Sequence, residues 1–173
     1  MIKVMRLFLL ITTIGISFFS SAGSTVTLQF SGNIKAATCN VSGSKNINID
    51  LKQMPESLFN KVNSSSVWND FNIKLIDCSP GVNQVKLTFS GTPDNADVNN
   101  LYKNEGTAKN IAVQLQNKNS NGEIPLGNGK NLYIAVNGKP SVTVPLRTRA
   151  FSKFGNATPG TVSAKITATL IYQ

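Results

Sequence analysis

Residues 160–173 read Gly-Thr-Val-Ser-Ala-Lys-Ile-Thr-Ala-Thr-Leu-Ile-Tyr-Gln, and their alternation decides the fold. Val162, Ala164, Ile166, Ala168, Leu170 and Tyr172 share one face, while mainly polar residues occupy the other. A period of two with one apolar side predicts a strand whose inner face is buried. Lys165 is the only charge in the stretch, so the strand lacks the charges and prolines that usually protect a sheet edge. The sequence stops at residue 173, where a sandwich would normally supply a further strand.

Working back from that segment, the chain divides into short alternating runs separated by Gly, Asn, Ser and Pro clusters. Strands are expected over residues 34–41, 46–51, 71–78, 84–90, 111–116, 132–136 and 141–149. One short helical turn is expected between residues 54 and 68. Turn pairs such as Asn121-Gly122 and Asn137-Gly138 punctuate the runs, and a sustained 3.6-residue rhythm is absent from the sequence. The pattern predicts an all-β fold, an incomplete immunoglobulin-like sandwich lacking its last strand.

The opposite end carries a second alternating run. From residue 23 it reads Gly-Ser-Thr-Val-Thr-Leu-Gln-Phe-Ser-Gly-Asn-Ile, with Val26, Leu28, Phe30, Gly32 and Ile34 on one face. Joined to residues 34–41 it would make a strand well beyond the usual five or six residues. A detached apolar strand at one end and an absent partner at the other predict pairing between molecules.

Before that run, Lys3 and Arg6 precede an apolar stretch over residues 7–19, followed by Ser20, Ser21 and Ala22. This is the layout of a secretory signal peptide, so the expected organisation is 1–22 leader, 23–34 extension and 35–173 folded domain. Cleavage after Ala22 would leave 151 residues. It removes two cations and no acid, so the formal charge falls from +9 to +7. The lysines are scattered rather than gathered into a stripe, and an exported protein rarely meets nucleic acid, so none is expected as partner.

Cys39 and Cys78 are the only cysteines, too few for a metal cage, and an oxidising compartment would join them as a disulfide. With no histidine in the chain, a Ser-His-Asp triad, a Cys-His dyad and a His-ligated zinc are all excluded. No enzyme activity, cofactor or metal is expected. Asp94 and Asp97 are the nearest thing to a carboxylate pair. They fall in a loop whose spacing does not fit an EF-hand, and solvated loop acids are the commoner outcome.

Taken together, these features resemble the pilin subunits of chaperone-usher fimbriae. The resemblance runs the whole length and rests on the two cysteines 39 apart, Gly160 at the fourteenth position from the end and the penultimate Tyr172. Residues 111–116 followed by Gly122, and residues 144–150, also look like pilin segments; Phe151 stands where the family often has Tyr. The resemblance implies a fimbrial structural subunit, secreted and acting in cell adhesion, that polymerises by donor-strand complementation, a known case of strand addition to a sheet edge. Val26, Leu28, Phe30, Gly32 and Ile34 would be the donor residues, and Gly160, Val162, Ala164, Ile166, Ala168, Leu170 and Tyr172 would form the acceptor groove and chaperone-binding strand. Implied partners are a periplasmic chaperone, an outer-membrane usher and neighbouring pilin subunits. The implied destination is a fimbrium on the bacterial surface, reached through the periplasm.

The basic, Asn-rich composition points to a minor or adaptor subunit rather than an abundant shaft subunit. The alternative is a single-domain minor adhesin that binds a host receptor through Trp68, Tyr102, Tyr133 and nearby lysines.

Overall fold

The computed structural model describes residues 27–33, 36–118 and 124–173. The expected leader, and Val26 and Ile34 of the extension, lie outside the described residues. Contacts divide the chain into two units, Met1–Ile34 and Lys35–Gln173.

The larger unit is all β, built from antiparallel ladders. Its strands are β1 (Asn40–Val41), β2 (Ser64–Ser65), β3 (Asn69–Ile76), β4 (Gln84–Gly91), β5 (Leu101–Lys103), β6 (Ala112–Asn117), β7 (Asn131–Ala135), β8 (Val142–Ser152) and β9 (Ile166–Tyr172). One sheet runs β1-β3-β8-β6-β5, with β2 also pairing β8; the other runs β7-β4-β9. This is the immunoglobulin-like sandwich expected from the alternation. The expected helical turn is a single 3-10 turn over Glu56–Phe59.

Alternation places the core where the sequence predicts. Along β8, Val144, Leu146, Thr148 and Ala150 point inward and are buried. They meet Ile73 and Leu75 of β3, Val113 and Leu115 of β6, and Val85, Leu87 and Phe89 of β4 in one apolar cluster, apart from Thr148 and Ala150. Cys39 and Cys78 form the expected disulfide, tying the segment before β1 to the end of β3. Between β7 and β8 the chain turns at Asn137-Gly138, both at positive φ, as it passes from one sheet to the other.

Two expectations need correction, and two short strands went unread. Residues 46–51 form no strand. The Asn46 amide donates to Ser44 Oγ and the Lys52 amide to Asp50 Oδ1, with Lys52 at φ 66. Short polar side chains here satisfy the backbone locally and divert it from a ladder. Of the expected strand 34–41, the described residues 36–41 form a ladder only at Asn40–Val41. The two- and three-residue strands β2 and β5 carry no alternation long enough to read, and sequence reasoning missed both.

Candidate functional site: the open flank of the second sheet

Among the described residues strand β9 is an edge strand, paired on one side to β4 in the register Val85↔Tyr172, Leu87↔Leu170, Phe89↔Ala168 and Gly91↔Ile166. Paired residues of neighbouring strands share a face, so both sets look toward the same interior. Val85, Leu87 and Phe89 are 0%, 0% and 1% exposed. Ile166, Ala168, Leu170 and Tyr172 pack on that core yet are only half-buried, as are Val162 and Ala164 just before the strand. The result is an apolar strip along a sheet edge, with backbone groups of β9 turned outward beside it.

The strip is fixed at both ends. At one end the Tyr172 hydroxyl donates to the Cys39 carbonyl at 2.9 Å, bringing β9 against the disulfide. Burial raises the Tyr172 phenol above its ordinary range. At the other end, residues 160–163 are clamped to the 104–108 loop. Thr107 and Thr161 exchange amide-to-hydroxyl bonds of 3.0 and 2.9 Å, and the Ala108 and Glu105 amides donate to the Thr161 and Ser163 carbonyls.

Gly160 has φ +153, and a Cβ there would lie 2.5 Å from the Ala108 nitrogen. The close approach of two backbones is therefore what requires glycine. Sequence reasoning missed Asn104, whose amide group donates to the Ala108 and Thr161 carbonyls while its Oδ1 accepts from the Gly106 and Ser163 amides. Its only sequence signal is the turn-like Asn104-Glu-Gly106. Beside the clamp, Met54, Phe59, Ala108, Ile111, Gly160 and Val162 line a cavity of about 180 Å3.

The smaller unit presents the opposite character. Within residues 27–33 no backbone ladder forms, Leu28 and Phe30 are 72% and 89% exposed, and nothing approaches within 4 Å of the Cβ position at Gly32. Two large apolar side chains are thus exposed at alternate positions of one short segment.

The residues singled out for receptor contact are not brought together as a site. Tyr102 is in the core at 1% exposure, donating to the Leu126 carbonyl, and burial pushes its phenol up; this removes it as a surface contact. Trp68 is half-buried with the guanidinium groups of Arg147 and Arg149 over its ring at 4.3 and 4.1 Å. Tyr133 stands exposed on β7, paired with Lys86. Asp94 and Asp97 build turns: Asp94 accepts from the Ala96 amide and Asp97 from the Asn100 side chain.

Comparison with known proteins agrees with this geometry. The fimbrial protein family matches the chain over residues 28–173. The S-fimbrial adhesin protein SfaS of Escherichia coli O6:K15:H31 (strain 536 / UPEC) is 36% identical over 155 residues, spanning 89% of each chain. Protein FimG of Escherichia coli (strain K12) is 34% identical over 148 residues, spanning 85% of this chain and 84% of its own. The crystal structure of the P pilus rod subunit PapA has the same fold, with a TM-score of 0.65 at 22% identity over 79% of this chain and 100% of PapA. An edge strand with an apolar strip, a disulfide at its end and a family match over most of the length lead to one assignment: the chain belongs to the fimbrial protein family and is a fimbrial subunit.

Proposed function

We propose that this subunit joins its neighbours by strand exchange, accepting a strand along β9 and donating residues 23–34 to the next subunit. The observation that carries the reading is the contrast across the β4–β9 ladder, where register partners on one face differ between full and half burial. A strand laid beside β9 would use its outward backbone groups and cover Val162 to Tyr172. Val26, Leu28, Phe30 and Ile34 have the matching period, and burying each contributes roughly 1.5–3 kcal/mol before ordering entropy is subtracted. Gly32 sits in that series as the position with the least bulk.

The same strip, uncovered, is an aggregation hazard in a folding subunit. That supports a periplasmic chaperone as its first occupant, with an outer-membrane usher and neighbouring pilins as later partners and the cell-surface fimbrium as destination. In this reading residues 1–22 are the leader, 23–34 the donor and 35–173 the body, and the subunit works mechanically rather than catalytically. The basic, Asn-rich composition supports a minor or adaptor position.

Deleting residues 23–33 tests the assignment. The truncated subunit is expected to form its chaperone complex and to accept a strand, but to cap no other subunit. Normal fibre growth from the truncated chain would overturn it. The alternative, a receptor-binding subunit, draws support from the 36% identical relative named as an adhesin and from exposed Tyr133. Glycan binding by the strand-filled protein, lost in Tyr133→Ala, is the result that reading requires.

A further inference from the structure

We infer that Leu58, Val62 and Phe154 form a seat for the body of the neighbouring pilin subunit, so that each joint combines an inserted strand with a contact between bodies. This rests on the strand-exchange reading above.

The three side chains are 46%, 67% and 64% exposed. They lie on abutting turns: the Asn63 amide donates to the Lys153 carbonyl, and a Cβ on Gly155 would meet the Asn60 carbonyl oxygen and the Lys61 carbonyl carbon at 2.8 Å. Leu58 belongs to the 3-10 turn Glu56–Phe59, which sends Phe59 inward at 4% exposure. Phe59 in turn lines the cavity with Gly160 and Val162. The patch therefore caps the end of the strip at which β9 begins.

Direction and tether length place the neighbour there. Every pairing in the β7-β4-β9 sheet is antiparallel. A donor that continues this ladder, in the more stable antiparallel sense, ends with Ile34 beside the start of β9. From Ile34 to Cys39 there are five residue steps, which span at most about 18 Å when fully extended. Cys39 is already fastened to Cys78 within the donor's own body. The donor's body cannot stand away from the end of the groove it fills, and the surface it must face there carries three exposed apolar side chains. Exposed Lys61 lies among them, Lys153 borders Phe154 and exposed Glu56 opens the turn that carries Leu58, so the mating surface is apolar at its centre with charges of both signs at its edge.

Amide hydrogen exchange on the mature chain tests the seat with two probes: a synthetic peptide of residues 23–34, and a second full copy of the mature chain. Both are expected to slow exchange along β9. Only the second copy should also slow the amides of residues 58–63 and 153–155, by about tenfold or more. A variant carrying Leu58→Ser, Val62→Ser and Phe154→Ser should release a second copy about tenfold faster while releasing the peptide at a rate within about twofold of the original. Equal protection by peptide and full copy, or an unchanged lifetime of the variant joint, overturns the seat and leaves strand exchange standing. If neither probe slows exchange along β9, strand exchange itself fails and the seat fails with it.

Discussion

Leu87 and Leu170 are the same residue type, paired across one ladder and facing one core, yet Leu87 is wholly buried and Leu170 is not. Nothing in the local sequence of β4 or β9 separates them, since both strands alternate cleanly. Burial is decided by what lies over a strand. Among the described residues β4 has a neighbour on each side, whereas β9 has β4 alone. The difference between two paired leucines is thus a measure of how much cover the flank lacks.

The sharpest way to break this comparison is to truncate both. Leu87→Ala is expected to cost about 2–5 kcal/mol of unfolding free energy in denaturant titration, as for a buried leucine, and Leu170→Ala in the free subunit about 1 kcal/mol. Once the flank is filled by a strand, the cost of Leu170→Ala should rise toward that of Leu87→Ala. Equal costs in the free subunit would mean that the flank is already covered. A smaller effect is expected at the fixed end of β9. Tyr172→Phe removes the hydroxyl that donates to the Cys39 carbonyl and should cost about 1 kcal/mol, with the β9 amides nearest Gln173 exchanging faster.

The smallest effect is on alkaline stability. Burial raises the phenols of both Tyr102 and Tyr172 above the ordinary value of 10.0. The folded state therefore holds them protonated, a contribution complete below pH 10 and lost as pH rises beyond it. Tyr102→Phe should flatten the fall in stability above pH 10, and an unchanged alkaline slope would contradict this assignment.

Most of the sandwich was legible because long alternating runs determine both strand and inner face, as in β4, β8 and β9. The apolar strip was legible for the same reason. What escaped reading depends on contacts distant in the chain. Residues 46–51 alternate as a strand should, but Ser44 and Asp50 capture nearby amides and no ladder forms. Tyr102 resembles a surface aromatic in sequence, and only its bond to Leu126 across the fold shows it to be core. Gly160 was singled out by its position, while the cause, an approach of Ala108 too close for any Cβ, is visible only in three dimensions. Asn104 holds two segments 57 residues apart, and a single asparagine gives no hint of that.

The bond from Tyr172 to Cys39 also has a mechanical meaning. In the proposed joint, tension along a fibre enters a body at Cys39, the disulfide-anchored residue that follows its own donor segment, and leaves through β9, beside which the next strand lies. The disulfide and the Tyr172 hydroxyl bring these two points together, so the load path is short and bypasses most of the core. Force then acts along the β4–β9 ladder in shear, where seven paired positions resist together, instead of peeling them apart one at a time.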